Sequence, residues 1–228
     1  MKKVGIISEL NMDNVNYGNK LQAFALNKYL NNMPDCEAES TIIDNSVEAK
    51  KPTLNGFTKY ANKIGKIPRK TVDFLKKINL KLTRKRYNFN LILCDKLINL
   101  KNISQLDYDI VITGSDVVWA QVSGGVNRIK FLDFKTQKYF KKIAYAPSFG
   151  KDWIPKENIE TIRAFLSSFS AIAVREKSSV KMLNDIGINN IQHVCDPTLL
   201  ISEDEWKKIE KKINVTGKYI FVYLLGKN

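Results

Sequence analysis

Short apolar runs that break abruptly into polar, turn-forming residues recur along this 228-residue chain. KVGIISE (3–9), TIID (41–44), YDIVIT (108–113), KIAYA (142–146), AIAV (171–174), IQHV (191–194) and KYIFVYLL (218–225) are nearly continuous rather than alternating in apolar character. A strand apolar on both sides needs cover on both sides, which is the requirement of a parallel sheet flanked by helices. The segments between these runs carry helical spacing. Residues 20–32 place Leu21, Phe24, Ala25 and Lys28 on one stripe, and 90–99 do the same through Leu91, Cys94, Leu97 and Ile98. Further helices are expected over 156–169, over 177–185 with Gly187 as the stop, and over 202–212. In the last, Ser202 followed three residues later by Glu205 reads as a capping box.

The resulting expectation is an α/β fold, a Rossmann-like parallel sheet with helices on both faces. Residues 1–200 read as one such domain. Residues 201–228 read as a linker helix and the first strand of a second, incomplete domain, because so apolar a final strand calls for neighbours that the chain does not supply.

Charge is unevenly placed. The net +14 is carried almost entirely by residues 50–90, which hold 13 Lys and Arg against the single acid Asp73, so the remaining 187 residues sum to only +2. Lysines outnumber arginines 31 to 6, and no nucleic-acid-binding motif is present. A Lys-heavy surplus lacks the bidentate geometry of base readout, so nucleic acid is not expected as a partner. The segment VDFLKKINLKL interleaves apolar residues with lysine, and it reads either as a solvated surface or as a patch for peripheral contact with anionic membrane. No apolar run approaches the ~18–20 residues that span a bilayer. The N-terminus has no signal-peptide pattern, and three scattered cysteines (Cys36, Cys94, Cys195) suit a reducing, cytoplasmic setting. One histidine, His193, cannot furnish a multi-His metal site, and no metal or resident cofactor is expected.

In an open parallel sheet ligands bind beyond the carboxyl ends of the strands. Three strand ends carry distinctive residues. The first loop holds Asn16, Tyr17, Gly18 and Asn19 ahead of a helix N-terminus, which favours an anion or simply needs its glycine and caps. Gly114-Ser115-Asp116 follows YDIVIT, with Trp119 beyond it. A carboxylate for hydroxyl groups and a flat aromatic face would suit a sugar; the same residues would also serve as a helix cap and a core tryptophan. Ser148 sits in a third loop. Arg175, directly after the AIAV strand, is either an anion ligand or the ion-pair partner of Glu176 or Asp196. His193 reads as packing and Cys195 as a buried, inert thiol.

Taken in order, NYGNKLQAFALNKYL, DIVITGSDVVW, KKIAYAPSFG, IAVREKSSV and VCDPTLLISEDEW resemble motifs of the polysaccharide pyruvyl transferase family. The resemblance covers the chain except for 50–90, with Val117 and Ala120 where the family commonly has Gln and Asn. It implies the N-terminal half of a two-domain, GT-B-like architecture. It also implies transfer of the enolpyruvyl unit of phosphoenolpyruvate, as donor substrate, onto a sugar of a cell-surface glycan or lipid-linked saccharide. Asp116 is then the candidate catalytic residue. Asn16, Tyr17, Gly18, Asn19, Gln22, Gly114, Ser115, Trp119, Ser148 and Arg175 are candidate substrate contacts. The family's second-domain Arg-x-His motif has no counterpart in this chain, so a truncated form, inactive by itself, is one expectation. A non-catalytic sugar- or nucleotide-binding α/β module is the alternative, and a basic surface-binding protein acting through 50–90 is a third.

Overall fold

The computed structural model describes residues 1–8, 17–43, 96–98, 100–120, 125–210, 215–220 and 222. The basic segment 50–90 and the candidate Asn16 lie outside the described residues. Seven strands form one sheet: β1 (Lys2–Ser8), β2 (Cys36–Ile43), β3 (Lys96–Ile98), β4 (Ile110–Thr113), β5 (Lys141–Tyr145), β6 (Ala171–Val174) and β7 (Ile191–His193). All six pairings are parallel, in the order β3-β2-β1-β4-β5-β6-β7. The order reverses direction between β1 and β4, which makes their carboxyl ends the topological switch point of a Rossmann-like sheet.

Helix α1 (Tyr17–Asn31) follows β1, α2 (Ile159–Leu166) precedes β6, α3 (Lys177–Asp185) joins β6 to β7, and α4 (Glu203–Lys207) follows the sheet. The two-residue pleat separates the faces. Val4 and Ile6 of β1 and Ile112 of β4 pack with Leu26 of α1 on one face. Ala144, Ile172 and Val174 pack with Ile162, Leu166, Met182 and Leu183 of α2 and α3 on the other. Val111 and Ile7 also face that second side, beside Ile129, Leu132 and Phe140. Helices therefore cover both faces, which is why the strands carry continuous apolar runs.

Local signals explain the element ends. α1 stops before Pro34, and its Asn31 amide exchanges hydrogen bonds with both backbone groups of Ala38, each 2.9 Å. That side chain satisfies a stretch of β2 lying ahead of its pairing with β3, so the exposed edge is not left unbonded. α3 ends where Gly187, at φ +81°, turns the chain, with Gly187 N donating to Asn184 O and Ile188 N to Leu183 O. Ser202 caps α4, its hydroxyl accepting from Glu205 N at 3.4 Å.

Three expectations need correction. Of the helix expected over 90–99, Lys96–Ile98 is instead a strand paired with β2, because a three-residue apolar run satisfies either period and the free edge of β2 decides the outcome. The helix after Ser202 closes at Lys207 rather than near 212. The strand expected over 218–225 is absent among the described residues there: 218–220 and 222 pair with nothing, and Ile220 is 90% exposed. No helix among the described residues is long and apolar enough to cross a membrane.

Candidate active site

The α1 face of the switch point collects polar side chains that the rest of that face excludes. Asn19, in the first turn of α1, is buried, and its amide donates to Asp116 Oδ2 at 2.8 Å. One turn on, buried Gln22 donates through Nε2 to Asp196 Oδ2. The first two turns of the helix are thereby tied to two different strand ends, beyond β4 and beyond β7.

Asp196 is the hub. Its Oδ1 accepts from Thr198 N at 3.0 Å and from the Thr198 hydroxyl at 2.7 Å, while Oδ2 accepts from Gln22 and from Arg175 Nη1 at 3.1 Å. Burial alone would push this carboxyl up. The bonds from Thr198, Gln22 and Arg175 outweigh burial and hold it below the usual carboxylate range. Arg175 also reaches Glu176 Oε1 through Nε at 3.2 Å and the buried Ser115 hydroxyl through Nη1 at 3.4 Å. One guanidinium thus serves two carboxylates, and both ion-pair partners read from the sequence are realised together.

Asp116 stands at φ +98°, a backbone region that L residues seldom occupy. The conformation is held from both sides: Asp116 forms an isolated bridge with Pro147, its carbonyl accepts from Ser148 N at 2.9 Å, and Trp119 N donates to Ser148 O at 3.0 Å. A carboxylate half-exposed at a switch point on a constrained backbone is pre-oriented, which is what proton transfer to or from a bound hydroxyl requires. Along with Asp196 and Glu176, it makes the site rich in acceptors, with Arg175 as the cation at its centre.

The family model of polysaccharide pyruvyl transferase matches residues 16–227. The chain belongs to that family. No curated protein and no solved structure matches it.

The geometry divides the candidate contacts of this pyruvyl transferase family member. Asn19, Gln22, Ser115, Asp116 and Arg175 converge at the switch point through the hydrogen bonds above. Tyr17 and Gly18 occupy the first turn of α1, half-buried and exposed respectively. Gly114 serves strand packing: a Cβ there would lie 2.5 Å from Ser8 Oγ and 3.2 Å from Ile6 Cγ2. Ser148 is buried, with its hydroxyl accepting from Gly150 N at 2.9 Å inside its own turn.

Trp119 is the clearest correction. It is fully buried, stacked on Phe131 with ring centroids 5.1 Å apart, and its indole N–H donates to Lys130 O at 3.1 Å. It offers no face to a sugar. Its apolar bulk follows a strand that turns inward, and core packing is the stronger demand. Trp153 is the more exposed tryptophan, 51% accessible, with Lys151 Nζ 4.6 Å from its ring centre. Cys195 is exposed rather than buried and lies 4.0 Å from the Tyr145 hydroxyl. Burial, with Cys195 beside it, pushes that phenol well above its ordinary value. His193 Nε2 contacts Arg175 O at 3.1 Å, bracing the backbone of the arginine.

Sequence reasoning gives Asp196 as an ion partner of Arg175 and within the run VCDPTLLISEDEW, but not as the hub of the network, although an Asp-Pro-Thr run after a strand is a turn-capping signal. Ser8, the last residue of β1, gives no signal in isolation; only the strand order places it beside Gly114.

Proposed function

We propose that this chain takes part in transferring the enolpyruvyl unit of phosphoenolpyruvate to a sugar of a cell-surface glycan. The observation that supports the reading best is the constrained Asp116 carboxylate, held by buried Asn19 at the switch point of a pyruvyl transferase family fold. In ketal formation the donor's methylene carbon gains a proton to become a methyl group. Two sugar hydroxyls form C–O bonds to the donor's C2, and the bond from C2 to the phosphate oxygen breaks. Of the two hydroxyl protons, one balances the new methyl group and the other leaves with phosphate. Asp116 accepts a hydroxyl proton as that oxygen attacks, a role worth about 10²–10⁴ in rate for a positioned base. Arg175 orients an anionic group of the donor, with Asp196 and Glu176 fixing its plane.

A second reading has its own support. Arg175 is already paired with two carboxylates, so little positive charge is left for a donor anion, and a sugar-binding module without transfer fits that balance. Incubation of the full chain with phosphoenolpyruvate and a galactose- or mannose-containing acceptor distinguishes them. Acceptor-dependent phosphate release, lost in Asp116→Asn, supports transfer. Sugar binding with no phosphate release supports the module.

The acceptor we propose is a glycan or lipid-linked saccharide presented at the cytoplasmic face of the membrane. The lysines of 50–90 would draw the chain to anionic lipid by about 1 kcal/mol for each one engaged. Flotation with anionic liposomes at low salt, lost at high salt, is the expected result; no flotation at low salt refutes it.

A further inference from the structure

The hydrogen bonds around Asp196 do not end at its own turn. Pro197–Leu199 form a single tight turn in which Leu199 N donates to Asp196 O at 3.0 Å and Leu200 N to Pro197 O at 2.9 Å. The next carbonyl, that of Thr198, accepts from the indole Nε1–H of Trp206 at 3.2 Å. Thr198 donates in turn through its N–H and its hydroxyl to Asp196 Oδ1, and Asp196 Oδ2 accepts from Arg175 Nη1. Consecutive hydrogen bonds therefore join Trp206, Thr198, Asp196 and Arg175, leading from α4 to the cation at the centre of the site.

Trp206 is itself held from another direction. Its half-buried ring packs against Phe24 of α1, with centroids 5.7 Å apart and planes tilted by 46°. The residue before it, Glu205, pairs through Oε2 with Lys28 Nζ at 3.4 Å, and Gln22 donates to Asp196. Helix α1 thus grips the 196–206 segment at Gln22, Phe24 and Lys28, within about two turns. Arg175 meets Asp196 at one oxygen, and that bond alone would let the carboxylate pivot. Thr198 stops the pivot with two donors on the other oxygen, and Trp206 fixes Thr198 by its carbonyl. The indole is a donor only, and a phenylalanine of similar bulk could not make this bond.

We propose that Trp206 is a positioning residue of the site: its indole N–H, acting through Thr198 and Asp196, fixes the orientation in which Arg175 is presented to a ligand. The guanidinium is planar, so its bonds through Nε to Glu176 and through Nη1 to Asp196 set the direction of Nη2. Nη2 makes no hydrogen bond among the described residues, and it is the donor left for a ligand. The inference rests on the reading that Arg175 contacts the donor, and it adds what α4 contributes to that contact. A tryptophan that only filled space would be served as well by another ring.

Trp206→Phe in the full chain removes the N–H and keeps a ring against Phe24. Phe24→Leu is the control, because it loosens the same packing and leaves the indole bonded to Thr198. The readout is exchange of the Arg175 Nε–H with water, followed by proton–nitrogen NMR and assigned by the resonance that Arg175→Lys lacks. Both variants should lower the melting temperature by about 2–4 °C. Only Trp206→Phe should speed the exchange, by about 3- to 10-fold, as the loss of one hydrogen bond does. Adding it to Asp196→Asn should speed exchange no further, since the connection is already cut there. Equal acceleration in both single variants, none in Trp206→Phe, or undiminished acceleration in the Asp196→Asn background would each overturn the proposal. Titration with phosphoenolpyruvate separates it from the wider reading. Binding weakened about 3- to 10-fold by Trp206→Phe supports both, and binding indifferent to that change overturns the positioning role. Faster exchange with no phosphoenolpyruvate binding to wild type leaves the role of Trp206 standing and removes the donor from Arg175.

Discussion

Replacing Asp196 by Asn keeps its size and removes its charge, and the structure sets the cost. The carboxylate accepts four hydrogen bonds, two at Oδ1 from Thr198 and two at Oδ2 from Gln22 and Arg175. An Asn that turns its oxygen toward Thr198 presents its NH₂ to two donors, so the bonds from Gln22 and Arg175 are both lost. The partners are partly exposed, Arg175 at 23% and Asp196 at 26%, so some of the loss is made up by water. The expected destabilisation is about 2–3 kcal/mol. For a chain of this size that is a fall of about 4–12 °C in melting temperature. The pH dependence has a definite sign. Because the folded-state carboxyl is depressed, its contribution is fully present above the unfolded-state value and is lost as pH falls through the folded one. The gap between wild type and Asp196→Asn should therefore be constant near neutrality and close on acidification below the ordinary carboxylate range. Thermal melts followed by circular dichroism from pH 7 to pH 3 measure it, alongside a double-mutant cycle with Arg175→Met. A shift under 2 °C at pH 7, strict additivity with Arg175→Met, or a gap that ignores pH would show that the network does not hold α1 to the sheet.

Two further outcomes follow from single side chains. At Asp116, held at φ +98°, the Gly variant should be about 1 kcal/mol more stable than the Ala variant, since both lose the carboxylate and only Ala keeps the strained backbone; urea denaturation measures the difference. Trp119→Ala should cost about 3–5 kcal/mol by the same method, as a large core truncation does. In glycoside titrations, whatever fraction of the variant remains folded should retain the wild-type preference.

How much was legible varied with the kind of force involved. The β4, β6 and α3 segments could be read from sequence because an apolar run, a turn residue and a helical stripe agreed at each. Lys96–Ile98 could not be, because three residues cannot show a period, and its state depends on an edge of β2 more than fifty residues away. Asn19 and Gln22 stood among the candidates, but their burial and their separate partners arise only when β4 and β7 are set beside α1. Trp119 misled because a tryptophan after a strand end suits a sugar and a core equally well on paper. Only the stacking with Phe131 separates the two.

The bonds that assemble this site also fix when it can exist. Asn19 and Asp116 are 97 residues apart in sequence, and Gln22 and Asp196 are 174 apart. At the opposite, amino-terminal ends of β1 and β4, the hydrogen bond from Lys3 N to Asp109 Oδ2 spans 106. During synthesis α1 emerges early, yet of the carboxylates that receive its amides Asp116 arrives only after about half of this chain and Asp196 after most of it. Until then its polar first turns are without their partners, although Leu26 can already meet Val4, Ile6 and Ala38. Contacts of such long range are slow to close, and a chain waiting for them is exposed to aggregation. The switch point therefore matures late, and recovery of soluble protein should be sensitive to the speed of synthesis between residues 31 and 196.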